Sequence, residues 1–503
     1  MAIGHRQGRC SGDADVLMWP NLREGKVPAV KMNPQTTRTE RDSLGEVEVP
    51  RDAYYGAHTA RALTNFQITT TSIGGYSEFV NALAVVKQAS ATANIELDLL
   101  DKEVGAAIVA ACETIRAGQH HDQFVVDAIQ GGAGTSTNMN ANEVIANVAL
   151  ERLGRRRGDY ATIHPIDHVN LCQSTNDVYP TAVKLALDRY LGALLEAMAR
   201  LEYSLSHKAV EFSDILKVGR TQLQDAVPMT LGQEFGAFAV MISEDRQRVE
   251  ETRALLRELN LGGTAIGTAL NTPPDYAKVV VVELQRITGI RSLISAPDLV
   301  EATQDTGVFV HTSGILKRVA IKLSKICNDL RLLSSGPRTG FGEIELPPRQ
   351  AGSSIMPGKV NPVIPEVVNQ IAFDVIGKDI TVSFAAEAGQ LQLNAFEPVI
   401  AKSLFDATIR LTAGCHTLAD NCIDGIVANR VNLDRHLASS IALTAALVPE
   451  IGYTAAASIA KQALDSGCGV MELALESGLV SQEKLDQLLN PARVAGVKAL
   501  EPH

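Results

Sequence analysis

The chain has 503 residues, 46% apolar and 20% charged, which is enough material for two to four folded domains and argues against global disorder. Lys plus Arg number 46 and Asp plus Glu 57, giving a net charge of −11 with no long basic run, so nucleic acid and anionic membranes are poor partners. Seven scattered cysteines with no CxxC argue against a disulfide framework or structural zinc, and no uninterrupted apolar run reaches bilayer length; a reducing cytoplasm is the expected setting.

Residues 1–37 read as a disordered extension. The first 31 have no periodic pattern and no apolar block of the kind a signal peptide needs, and they hold the only tryptophan, Trp19. The alternative reading takes Met32 as the true start. Residues 38–175 form a mixed helical amino-terminal domain. Val49–Phe66 is loop-like, then helical, and Glu78–Leu100 is a stronger helix with Phe79, Leu83, Val86, Ala89 and Ala93 on one face.

Residues 176–430 form a bundle of long helices. The candidates are Pro180–Phe212, Met229–Leu259, Asp305–Leu333, Pro365–Glu387 and Pro398–Leu418, the last two opened by proline. Aromatics are only 4%, so the core rests on Leu, Ile, Val and Ala, which favours helix-on-helix packing. Bundle helices that are apolar on more than one face predict contacts between subunits. Residues 431–503 read as shorter helices separated by Gly452, Gly467, Gly469 and Gly478. Strand signals are sparse, and the expected class is all-α.

The most informative segment is QAGSSIMPGKVNPVIPE, Gln350–Glu366. Its glycines and prolines cannot continue a helix, so it is a loop between two long helices, a place where rigid scaffolds commonly carry function. A lysine and an asparagine there suit a carboxylate, one by charge and one by directed amide donors. Taken alone, a loop of this composition is usually an ordinary surface loop. Three other strings stand out. GGAGTSTNMNANEV (Gly131–Val144) could be a phosphate-cradling loop, but no GK[ST] follows. HVNLCQSTNDVYPT (His168–Thr181) could be a helix cap. VGRTQLQDAVPMTLGQEF (Val218–Phe235) carries Thr221 and Gln222. A further string, LNLGGTAIGTALNT (Leu259–Thr272), reads as a helix stop.

The pattern GSSxMPxKxNP at Gly352–Pro362 resembles the signature of the aspartase/fumarase superfamily, and the resemblance extends over residues 38–500. It implies a three-domain lyase whose central long-helix bundle assembles into a tetrameric helical core. It also implies active sites shared between subunits and no organic cofactor. On this resemblance Ser353 is the catalytic base, Lys359 and Asn361 bind the substrate α-carboxylate, and Ser354 adds to the loop's hydrogen-bonding surface. Thr135, with Asn138 beside it, comes from the first conserved region. Ser174, Thr175 and Asn176 resemble the region that grips the β-carboxylate and amino group, and Thr221 and Gln222 resemble another binding region. Gly352 and Gly358 flank the loop and imply that it closes over substrate.

Position 222 bears on the reaction. Fumarases carry histidine there, paired with the glutamate matching Glu366. Hydroxide needs a proton as it leaves, whereas the aspartate ammonium already carries one, and a neutral amide cannot exchange a proton near neutral pH. Glutamine therefore points to ammonia elimination from L-aspartate, giving fumarate. The alternatives are fumarate hydration on the same fold, a catalytically silent helical scaffold and, more distantly, a dinucleotide-dependent oxidoreductase. No metal-ligand cluster is apparent, and divalent-metal activation is not predicted.

Overall fold

The computed structural model describes residues 36–494; the amino-terminal extension, with Trp19 and Met32, lies outside the described residues apart from its last two positions. A short antiparallel ribbon, β1 (Thr37–Asp42) and β2 (Gly45–Pro50), precedes α1 (Ala57–Asn65), α2 (Ser77–Glu96), α3 (Lys102–Arg116) and α4 (Thr135–Arg152). Then come α5 (Thr175–Glu211), the hairpin β3 (Leu216–Thr221) and β4 (Gln224–Thr230), α6 (Leu231–Leu255), α7 (Tyr276–Thr288), α8 (Leu299–Gln304) and α9 (Gly307–Leu333). The chain continues through α10 (Val363–Glu387), α11 (Glu397–Asn421), α12 (Arg430–Ser439), α13 (Thr444–Ser466), α14 (Val470–Glu476), α15 (Gln482–Leu488) and α16 (Pro491–Val494). Helices dominate, as the composition implies.

Several boundaries differ from the sequence expectation, for local reasons. Helix α5 begins at Thr175 rather than Pro180, because Ser174 and Asp177 form a capping box that starts the helix earlier. Pro180 then sits inside the helix and cannot donate to the Asn176 carbonyl four residues back. That carbonyl instead accepts from Asn260 Nδ2 at 3.0 Å. Helix α6 begins at Leu231, because the residues before it pair as β4, and Thr230 with Gln233 forms a second capping box. Helix α2 was expected to bury one face. It buries almost all of its length, including Lys87, Gln88, Ser90 and Asn94, because α3, α5 and α7 surround it.

Contacts fix the direction of each bundle helix. At one end of the α6–α9 pair, Thr252 meets His311 at 3.4 Å, and further along Lys322 Nζ donates to the Met241 carbonyl at 3.1 Å, so the two helices run antiparallel. Helix α10 is antiparallel to α9: Asp379 receives Ser313 and Lys317, while Asn369 reaches Ser324 and Asn328. Arg200 of α5 pairs with Asp420 at the end of α11, and ten residues back on α5 the Tyr190 ring lies 5.4 Å from Phe405 of α11, so these two run parallel. Thus α5, α9 and α11 point one way, and α6 and α10 the other. The hairpin, residues 334–362 and residues 422–429 gather at one end. The start of α5 lies at the opposite end.

Helix α10 buries Val368, Ala372, Val375 and Val382 on one side. On the opposite side it exposes Phe373 (62%), Ile380 (54%) and Phe384 (71%), which share a face at helical spacing. The carboxyl-terminal helices have their own core of Leu437, Leu443, Leu447, Ile459, Ala463, Val470 and Leu485, and Val218 of β3 belongs to it. Gly452, expected between helices, lies inside α13 and breaks its geometry at φ 77° and ψ 161°. The stretch Ile441–Ser466 is long and apolar enough to cross a bilayer by length and composition. It is interrupted at Gly452, and Leu447, Ala456, Ile459 and Ala463 are buried along it.

Candidate active site

The residues picked out by sequence fall into two groups. The first lies where the amino-terminal ends of α4 and α5 meet. Asn138 Nδ2 donates to Thr175 Oγ1 at 3.1 Å and to Asn170 Oδ1 at 3.1 Å. Ser174 caps α5, its hydroxyl accepting from Asn176 N at 3.2 Å, and Asn176 Nδ2 donates to the Ala265 carbonyl at 2.7 Å. Thr135 is the first residue of α4 and is exposed, its hydroxyl donating to Gly132 O at 2.7 Å. Gly134, at φ +88°, lets the two helix ends touch: a Cβ there would stand 2.2 Å from the Tyr179 ring. Each helix start carries roughly half a positive charge, so the junction favours an anion.

Beneath this junction lies a polar layer that sequence reading missed. Lys87 is fully buried, and its ammonium donates to Asn170 Oδ1 at 2.8 Å and Gln173 Oε1 at 2.9 Å. Burial lowers its pKa to about 7. Asp177 accepts from the backbone N–H groups of Ser174 (2.9 Å), Gly262 (3.0 Å) and Thr264 (2.9 Å). Burial raises its pKa to about 6, against the pull of those donors and Lys87. The string Leu259–Thr272 is therefore more than a helix stop: it supplies two of the donors that hold Asp177 and the carbonyl that holds Asn176. One sequence signal was available, a lone lysine inside the apolar run of α2.

The second group lies at the other end of the bundle. Gly352 N donates to Lys359 O at 2.7 Å, and Asn361 Nδ2 donates to Gly352 O at 3.0 Å, closing the neck of the signature loop. At its crown Ser353 Oγ accepts from the backbone N–H groups of Ile355 and Met356, each at 3.2 Å. Such donors favour an anionic oxygen. Ser354 and Lys359 are exposed, Gly358 has φ +81°, and Glu366 lies in the first turn of α10. A cavity of about 320 Å³ beside the loop is lined by Arg349, Gly358, Asn361 and Asn421, and Ser353 is not among its walls.

Thr221 and Gln222 occupy the exposed tip of the β3–β4 hairpin, which sequence reading did not foresee. Thr221 pairs with Gln224, leaving a two-residue turn of Gln222 (φ 54°) and Leu223 (φ 62°). Two positive φ values match a type I′ turn, which ordinarily takes Asn-Gly. Non-glycine residues there store strain, and such strain concentrates at functional sites.

Helix α5 has 37 residues and spans roughly 55 Å, so a single chain keeps the anion-favouring junction far from the loop and hairpin. The chain brings Asn138, Ser174, Thr175 and Asn176 together, with Thr135 nearby on α4, and Ser353, Ser354, Lys359 and Asn361 together on the loop. It does not bring the two sets to each other.

Comparison with known proteins follows the same lines. The family described as "Lyase" matches residues 45–377, and the one described as "Fumarase C C-terminus" matches residues 443–496. The chain is 51% identical over 466 residues to the aspartate ammonia-lyase of Helicobacter pylori, covering 93% of this chain and 99% of that one. Among solved structures, the fumarate lyase:delta crystallin of Brucella melitensis bound to cobalt superposes with a TM-score of 0.89 at 57% identity, covering 91% of this chain and 99% of that one. The class II fumarase of Schistosoma mansoni superposes with a TM-score of 0.85 at 35% identity, covering 92% and 99%.

Proposed function

We infer the chemistry of this site from one premise: the chain belongs to the aspartase/fumarase superfamily of lyases. It is a carbon–nitrogen lyase, an aspartate ammonia-lyase that converts L-aspartate reversibly to fumarate and ammonia. Two observations favour deamination over hydration: 51% identity to an aspartate ammonia-lyase against 35% to a class II fumarase, and Gln222, which cannot protonate a departing hydroxide.

In the proposed mechanism Ser353, as its alkoxide, removes a proton from Cβ. The electron pair delocalises into the β-carboxylate as an aci-carboxylate, then returns to form the double bond as ammonia leaves. The observation that carries the choice of base is Ser353 Oγ seated on two loop N–H groups, with Lys359 six residues on. Lys359 and Asn361 hold the α-carboxylate. Ser174 and Thr175, whose hydroxyls accept in the free chain and keep their protons, donate to the developing dianion, and Thr135 joins them once its hydroxyl turns from Gly132 O; each donor in comparable oxyanion sites contributes roughly 3–4 kcal/mol. Asn176 and Gln222 orient the amino group or the α-carboxylate, and Thr221 adds to substrate binding.

Because one chain holds these two sets at opposite ends of a bundle whose helix α5 is roughly 55 Å long, a complete site needs another copy. The second apolar face of α10 is suited to cover itself in such an assembly, and a homotetramer with shared sites is the arrangement we propose. No organic cofactor enters the mechanism, and a cytoplasmic setting is proposed.

The test is release of fumarate, followed by its ultraviolet absorbance, from L-aspartate and separately from L-malate with no cofactor added. Fumarate from aspartate alone supports the reading, and fumarate from malate alone replaces it with hydration. Ser353→Ala should abolish turnover with little change in ligand binding. Mixing and refolding Ser353→Ala with Thr175→Val subunits should restore part of the activity, since some sites would then draw both intact halves. No recovery would argue against shared sites.

A further inference from the structure

The tip that carries Thr221 and Gln222 is strained, exposed and attached to a two-stranded ribbon. A ribbon of that size is marginal by itself, and a strained turn persists only where its surroundings over-determine it. The surroundings of this hairpin are specific. Val218 of β3 is packed into the carboxyl-terminal core with Leu437, Leu443 and Leu447. On β4, Asp225 accepts from Ser440 Oγ at 2.7 Å. Both ties lead to the segment around and after α12, not to the bundle.

One buried carboxylate joins these parts. Glu343 has no solvent exposure, and its Oε1 accepts from Arg220 Nη2 at 2.6 Å and from His436 Nδ1 at 3.0 Å. A carboxylate only accepts, so the His436 nitrogen is the donor. Lys217 Nζ stands 3.6 Å from Oε2 and also pairs with Glu234 at 2.5 Å. Burial works against this charge, but Arg220, Lys217 and His436 outweigh it and hold the carboxyl below its usual range. The Arg220 guanidinium also lies 4.3 Å over the Phe341 ring. The Glu343 backbone is pinned twice, its N–H to Leu333 O at the end of α9 and its carbonyl to Asn429 N, both at 2.9 Å. Arg220 is two residues from Gln222, Glu343 is ten residues before Ser353, and His436 is on α12.

We propose that the carboxyl-terminal domain sets the position of the substrate-binding tip Thr221–Gln222 through the clamp Arg220–Glu343–His436, with His436 as its positioning residue. The kinetic part rests on the proposed function. His436 touches no reacting atom; it acts by holding Glu343, which holds Arg220 and with it the end of β3. The Glu343 backbone stays held by Leu333 and Asn429 whatever His436 does, so the clamp governs the hairpin tip and leaves the root of the signature loop in place.

The experiment compares wild type, His436→Ala and His436→Asn, whose amide nitrogen can stand where Nδ1 stands. Losing a hydrogen bond to a buried charge should raise KM for aspartate about tenfold in His436→Ala. Turnover at saturation should stay within about twofold, because ground-state binding groups are displaced rather than the base. Asn should restore KM to within about threefold. A purely structural ion pair would instead lower the folded fraction, and so kcat, with KM unchanged. An unchanged KM in His436→Ala, or no rescue by Asn, overturns the inference while leaving the lyase assignment intact. Amide exchange of the 216–230 peptide, read by mass spectrometry, tests the clamp whatever compound is turned over. Exchange should quicken in His436→Ala, and in Ser440→Ala if the first variant does not fold, and recover in His436→Asn. Unchanged protection refutes the clamp even if aspartate proves not to be the substrate.

Discussion

Gly352→Ala is the sharpest test of the signature loop. A Cβ on Gly352 would stand 2.7 Å from Lys359 O and 3.0 Å from Asn361 N, where ordinary contact is about 3.5 Å. The neck must therefore open by roughly 0.5–0.8 Å. Opening stretches the 2.7 Å bond from Gly352 N to Lys359 O and the 3.0 Å bond from Asn361 Nδ2 to Gly352 O, each contributing about 1 kcal/mol. Ser353, Lys359 and Asn361 all ride on that neck, and a displacement approaching 1 Å can cost about a hundredfold in rate. We expect kcat/KM for aspartate to fall by roughly two orders of magnitude, read by fumarate absorbance. The melting temperature should hardly move, because most of the loop is exposed. Gly358→Ala is the control. It meets nothing within 4 Å but sits at φ +81°, so it adds only about 1–2 kcal/mol of backbone strain and should lose less than tenfold. Wild-type kcat/KM in Gly352→Ala, or a larger loss in Gly358→Ala, would refute the claim that the neck sets the geometry.

Two further outcomes follow from buried and strained groups. Leu223→Gly removes a side chain from φ 62° and should slow amide exchange across the hairpin about threefold to fivefold, a gain of roughly 0.5–1 kcal/mol; faster exchange would show the turn is not strained. Glu397 is fully buried with Oε2 unpartnered, and burial raises its pKa from 4.5 to about 8 against the pull of Lys184. A carboxyl whose folded pKa is raised contributes stability that is complete below about pH 4.5 and lost as pH rises through about 8. Wild-type melting temperature should therefore decline over that window, and Glu397→Gln, which mimics the neutral acid, should flatten the decline. Parallel profiles for the two proteins would refute the assignment.

Much of the molecule was legible in one dimension. The long helices followed from apolar residues at helical spacing, and the signature loop from a cluster of glycine and proline that no helix tolerates. The start of α5 is the boundary placed furthest from the expectation. Proline was read as the start of α5, but the Ser174–Asp177 capping box starts the helix earlier, and only Asn260, 84 residues from Asn176, makes Pro180 tolerable inside it. The hairpin at 216–230 was missed because six- and seven-residue strands leave little periodic signal beside helices of 25 and 37 residues.

The residue types proposed for the chemistry were set by the sequence alone: a serine between glycine and N–H donors, a lysine and an asparagine beyond it, and Ser-Thr-Asn at a helix start. Tertiary structure decided where they go. It placed Lys87 and Asn170 beneath the two helix starts, joined Arg220, Glu343 and His436 across more than two hundred residues of chain, and sent the two groups of candidate residues to opposite ends of the bundle. The physical reason is range. Capping, turns and periodicity act over a few residues and can be read in order, whereas the direction of each helix and the partner of each buried charge are settled by packing between segments far apart in the chain.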